Sequence, residues 1–219
     1  VKGGATAMDA RDLATTTVLI GEHLRITGVA LGVSVPPALA TGYAALAFPR
    51  LGDGILKTLG VLYTIPGLAL MIFFLPWFGL NERSVIAALV VYAQFPLTQN
   101  WVSALRSVEP AAVEAAVGMG MSRAQAFWRV QLPLASPGIV AGLRIAAVAV
   151  VGLATLGAKF NAGGLGRLLF DGVAQASAMK IWLGAAALAA VSLMTHAGLL
   201  AAERRLGFFA GSKRVRENP

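Results

Sequence analysis

Apolar residues in this chain come in long runs, and charges gather between them. Five stretches of span length are free or nearly free of charge. They are Ile26 to Phe48, Thr58 to Leu80, Ser84 to Leu105, Leu134 to Ala158 (broken by Arg144) and Ile181 to Ala202 (holding His196). A hydrocarbon core about 30 Å thick takes about 20 helical residues to cross. Within lipid each segment must satisfy its own backbone hydrogen bonds, which favours helices. The pattern therefore predicts an all-α polytopic membrane protein with five transmembrane helices. A sixth apolar patch, Leu13 to Ile20, is too short to cross and reads as an interfacial helix, or as part of a sixth membrane element. A soluble helical bundle is the competing fold, and five uncharged runs do not suit one.

Composition agrees. Of 219 residues, 57% are hydrophobic and 13% charged, against about a quarter charged in soluble domains. The net charge of +8 sits mostly in loops, where it reports orientation rather than nucleic-acid binding. There are no cysteines, which excludes disulfides and thiolate metal sites. Asp9, Arg11 and Asp12 interrupt any apolar core after Lys2, so no cleavable leader is expected and the first span serves as insertion signal. Threading five spans puts eleven Lys and Arg on one side and seven on the other. The positive-inside rule assigns the richer side to the cytoplasm, with the N-terminus outside and the C-terminus inside.

The expected organisation is an N-terminal segment over 1–21, one membrane domain over 22–205, and a cytoplasmic tail over 206–219 ending in the polar "GSKRVRENP". "FPRLGDGILK" links spans one and two inside, and "NER" links spans two and three outside. The longest inner loop covers 106–133, and the outer loop after span four carries "NAGGLG". Pro36, Pro37, Pro66, Pro76 and Pro96 fall inside spans. Each removes a backbone donor and kinks its helix, as packing or a broken pathway helix requires.

Residues 110–133 are too polar to cross and too patterned for a slack loop. Pro110 suits a first helical turn. Gly118 and Gly120 end that helix, because glycine takes a left-handed turn readily. Ser122 with Gln125 forms a capping box that starts a second helix, and Pro133 is expected to stop it. Ala124, Phe127, Trp128 and Gln131 share a face by helical spacing. An aromatic pair there needs a cover, from this chain or from a partner.

The spacing is Glu114-Ala115-Ala116, three residues, Gly120, nine residues, Val130, one residue, Leu132-Pro133. It resembles the EAA motif of ABC importer permeases, with Val130 in place of the usual Ile. Six positions match over twenty residues. "TIPGLAL", "LRSVEPAAVEAAVGMGMS" and "GAKFNAGGLGRLLFDG" resemble the osmoprotectant permeases of that class, over about residues 22 to 205; "AGGLG" also occurs in methionine-type permeases. The resemblance implies a type I ABC importer transmembrane domain in a bacterial plasma membrane. Glu114, Ala115, Ala116, Gly120, Phe127, Trp128, Leu132 and Pro133 would contact the ATPase. Two ATPase subunits, a second permease (identical or a paralogue) and an extracytoplasmic binding protein would be partners. ATP would be used by the partner, with no cofactor and no metal on this chain. The solute class implied is glycine betaine, choline or carnitine, with another small solute such as an amino acid as alternative. Lys159, Phe160 and Asn161 depart from the apolar residues usual there, and a lysine at the outer mouth repels cations.

Candidate pathway residues are Tyr63, Pro66, Tyr92, Gln94, Asn100, Arg144 and Lys159, with Gln99 also polar in span three. Helix packing by hydrogen bonds is the other role open to the polar ones. Arg144 either snorkels to the surface or lines a polar interior. His196 has no companion at metal spacing. The phosphate-loop pattern GxxxxGK[ST] does not occur, so ATP hydrolysis belongs to another chain. An ATPase-independent channel or membrane enzyme would need a filter, a charge ring or an acid–base cluster, and none stands out.

Overall fold

The computed structural model describes residues 10–209. All regular structure among them is helical: α1 (Ala10–Ala47), α2 (Pro49–Tyr63), α3 (Gly67–Phe73), α4 (Leu75–Phe78), α5 (Glu82–Arg106), α6 (Pro110–Gly118), α7 (Arg123–Ala126), α8 (Leu132–Ala154), α9 (Gly166–Ala174) and α10 (Ala178–Phe209). The last ten residues of the expected tail lie outside the described residues.

Four helical stretches are long and apolar enough to cross a membrane: Ala14–Ala47, Glu82–Arg106, Arg123–Phe160 and Ala178–Gly207. A further pair of helices, bent where they meet, is long and apolar enough only when taken together. Arg50–Tyr63 and Gly67–Phe73 meet at 93°, so the kink expected at Pro66 within Thr58 to Leu80 is a sharp break between two helices. Pro66 has no N–H to continue α2 and instead caps α3, where its carbonyl accepts from Ala69 at 2.8 Å. Pro76 falls in the first turn of α4, where a missing donor costs little.

Two further boundaries change. Leu13–Ile20 is not a separate interfacial helix; it is continuous with span one in α1, which at 1.5 Å per residue is about 57 Å long. The expected inner link "FPRLGDGILK" is mostly α2, with Phe48 alone between α1 and α2. Arg50, Asp53 and Lys57 recur at helical spacing, so the charges form one polar stripe of a helix rather than a loop.

α5 is the central helix. It packs between α1 and α8, and α8 packs on α10. The core between them is rich in small residues: Ala30, Ala38, Ala88, Ala93, Ala146 and Ala154 are all buried. Small side chains let helices approach closely where lipid supplies no hydrophobic drive. Hydroxyls and amides stitch the seam. Thr41 and Thr98 share a hydrogen bond of 2.9 Å between α1 and α5, and Gln94 Nε2 donates to the Ser34 carbonyl at 3.3 Å.

Candidate functional site

The segment after α5 forms a helical hairpin at one end of the bundle. Pro110 opens α6 at its first turn. The helix ends in a Schellman motif: Gly120 N–H donates to Val117 O at 2.9 Å and Met121 N–H to Ala116 O at 3.1 Å. Gly120 holds φ +89° and no atom lies near the place of a Cβ. The demand for glycine there is conformational, not a matter of space. The expected capping box forms: Ser122 Oγ accepts from Gln125 N–H at 3.2 Å, and Gln125 Oε1 accepts from Ser122 N–H at 2.9 Å. Ala116 and Ala126 are buried where the two arms meet.

Pro133 does not stop the second arm. A π-helical turn, Phe127–Gln131, follows α7, with Leu132 N–H donating five residues back to Phe127 O. The wider turn carries the chain past the proline, which takes a first-turn position of α8. One helical run, Arg123–Phe160, therefore joins the hairpin to the fourth crossing.

The structure separates the aromatic pair. Phe127 is half-buried against the cluster of Ala104, Leu105 and Ala135, beside Val108 and Ile139. Trp128 stands 65% exposed, edge-on to Phe127 at 5.3 Å. Gln131 Nε2 reaches back toward Leu105 O. Glu114, Ala115, Gly120 and Pro133 are exposed and Leu132 is half-buried. Val117 and Met119 are also exposed, as are the charged Arg123 and Arg129.

The pathway candidates do not converge on one lumen within this chain. Tyr63 and Tyr92 meet with ring centroids 4.4 Å apart, and Tyr63 also meets Phe95 at 5.3 Å; Pro66 stands at the adjoining bend. Gln94 faces α1. Asn100 Nδ2 donates to Pro96 O at 2.7 Å, against Gly142 of α8. Gln99 is exposed. Arg144 is half-buried, and its Nε donates to Glu203 Oε2 at 3.1 Å, between α8 and α10. Lys159 Nζ stands 4.3 Å from the Phe170 ring centroid.

The residues that hold the other end of the bundle were not singled out from the sequence. Glu22 Oε2 accepts from Gly164 N–H at 2.9 Å, and a side chain at Gly163 would overlap that carboxylate. Both glycines have positive φ, +81° and +79°. His23 is buried, with Nε2 3.0 Å from Val151 O. Arg25 pairs with Glu82. Glu22 also lines a cavity of about 250 Å³ with Arg167, Asp171 and Lys180. No periodicity marks these residues; their partners are distant in sequence.

The profile of the family described as "Binding-protein-dependent transport system inner membrane component" matches residues 35–207. The choline transport system permease protein OpuBB of Bacillus subtilis strain 168 is 31% identical over 196 residues, 90% of each chain. The carnitine transport permease protein OpuCB of Listeria monocytogenes is 34% identical over 152 residues, 69% of this chain and 70% of its own. Among solved structures, a chain of the inward-facing MetNI methionine ABC transporter superposes with a TM-score of 0.82. It covers 91% of this chain and 99% of that one at 20% identity, a likeness of fold.

Proposed function

The chain belongs to the family of binding-protein-dependent transport system inner membrane components, and from that premise we propose that its solute is a small quaternary-amine osmolyte of the glycine betaine, choline or carnitine type. It is a multi-pass permease subunit of an ABC importer. The observation that carries the solute assignment is the match to a choline permease along nearly the whole of both chains.

Two permeases, as identical copies or paralogues, flank one pathway. A binding protein delivers solute outside, and two ATPase subunits dock inside on the exposed face of the α6–α7 hairpin. The orientation has the N-terminus outside and the C-terminus in the cytoplasm. ATP binds and is hydrolysed in the partner subunits. Closure of the ATPase pair moves the hairpin. Because Arg123–Phe160 is one helical run, that motion passes straight into α8 and on toward the glycine loop at its far end. The bend between α2 and α3 supplies the broken helix at which access changes.

The test is uptake by proteoliposomes holding the permease, its ATPase and its binding protein, with choline, glycine betaine and methionine in competition. Quaternary amines are expected to compete and methionine not to. Uptake of methionine with no quaternary amine moved would assign the amino-acid alternative. Cysteines introduced at Ser122 and at Glu82 in this cysteine-free chain are expected to label from the cytoplasm and from outside respectively; the reverse overturns the orientation.

A further inference from the structure

We infer that Tyr63, Tyr92 and Phe95 form an aromatic platform, within the membrane, on which the quaternary ammonium group rests as it crosses. The inference builds on the solute reading above. Tyr63 is the last residue of α2, directly before the 93° break. Tyr92 and Phe95 are three apart on α5 and so share a face. Their rings lie 4.4 Å and 5.3 Å from that of Tyr63, tilted by 34° and 39°. All three are half-buried, so part of each ring remains open. Gly60 makes room for the assembly: Phe95 Cε2 lies 3.3 Å from where a Cβ of residue 60 would stand.

Depth and chemistry point to the ligand. Tyr92 lies about 15 Å along α5 from Glu82 and about 21 Å from Arg106, near the middle of a hydrocarbon layer about 30 Å thick. The Tyr63 and Tyr92 hydroxyls lie close enough to serve each other as partners, which meets a need that lipid cannot and leaves the open parts of the rings as the surface on offer. A quaternary ammonium has no N–H to donate and is recognised by aromatic faces. The C-terminal end of α2 adds the negative end of a helix dipole beside Tyr63. Such a platform attracts a cation without the grip of a carboxylate, which suits a site that must release as well as bind.

The test replaces Phe95 with phenylalanines bearing one, two and three ring fluorines, which keep its shape and drain its π-face. Choline uptake with permease, ATPase and loaded binding protein is expected to fall stepwise, by about ten-fold at three fluorines. The same series at Phe73, outside the platform, is expected to leave uptake unchanged. Equal uptake across the Phe95 series, with choline moved by the wild type, overturns the platform and leaves the solute reading standing. A wild type that moves no quaternary amine overturns both. Tyr63→Phe and Tyr92→Phe keep the ring and are expected to retain most uptake, while Tyr63→Leu and Tyr92→Leu lose it; equal loss in all four counts against the platform.

Discussion

The two ends of the bundle are held together in opposite ways. The α6–α7 hairpin is fixed by bonds between near neighbours: Gly120 to Val117, Met121 to Ala116, Ser122 to Gln125. Some of its large apolar side chains, Val117, Met119 and Trp128, stand exposed. The far end is fixed by side chains reaching across the sequence: Glu22 to Gly164, His23 to Val151, Arg25 to Glu82. One end is shaped locally and offers a surface. The other is closed by contacts between residues far apart in sequence.

The largest expected effect is at the local end. Gly120→Pro is incompatible with φ +89° and removes the N–H that closes the Schellman motif. Uptake is expected to vanish while the chain still inserts, as checked by membrane fractionation beside transport. Gly120→Ala keeps the N–H and faces open space, so it meets only the left-handed penalty of about 1 kcal/mol. Normal uptake by Gly120→Pro would remove the hairpin from the coupling role.

This contrast also explains what was legible in the sequence. The capping box and the Gly120 turn are local patterns, and both stand in the structure as expected. The spans were legible because lipid imposes a length. The bend at Pro66 was visible only as a proline, since its angle depends on packing. Pro133 misled because a stop signal was overridden by a π-helical turn. Glu22 and His23 were missed because each one's partner lies more than a hundred residues away, and no single-sequence pattern carries that distance. Arg144 was legible as a charge within a span, but its partner Glu203, 59 residues on, was not.

Breaking the far end is expected to cost less than Gly120→Pro. Glu22→Ala removes a charged acceptor from Gly164 N–H, a loss of about 2 kcal/mol, read as a lower melting temperature in nanodiscs. Glu22→Gln keeps an acceptor and is expected to recover part of it. Gly163→Ala collides with the same carboxylate, so the Glu22→Ala, Gly163→Ala double variant is expected to be less damaged than the two losses added together. Strict additivity would separate the loop from Glu22.

The aromatic pair sharpens the comparison within one turn. Phe127→Ala is expected to lower stability by about 1–2 kcal/mol, short of the 3–5 typical of a fully buried Phe. Trp128→Ala is expected to leave the melting temperature nearly unchanged and to weaken ATPase pull-down. If both variants lose stability alike, Trp128 belongs to the fold rather than to the docking face.

The smallest effect is expected at Lys159, and its smallness is itself informative. Lys159 is exposed, and its ammonium lies 4.3 Å from the centre of the half-buried Phe170 ring. A cation–π contact of that kind is worth about 0.5–1 kcal/mol, and the ring holds the charge in one place without neutralising it. Under the proposed orientation this charge stands near the outer mouth, where it is expected to disfavour choline more than zwitterionic glycine betaine, whose carboxylate offers the ammonium a partner. Beyond a Debye length of about 8 Å at physiological salt the difference is screened. Lys159→Leu is therefore expected to raise the choline to glycine betaine uptake ratio by about two-fold at low ionic strength, and by less at physiological salt. Phe170→Leu releases the ammonium from the ring and is expected to move the ratio less than Lys159→Leu does, because the charge remains. A ratio unchanged at both salt concentrations would place Lys159 away from the solute's route and leave the choice between cation and zwitterion to the binding protein.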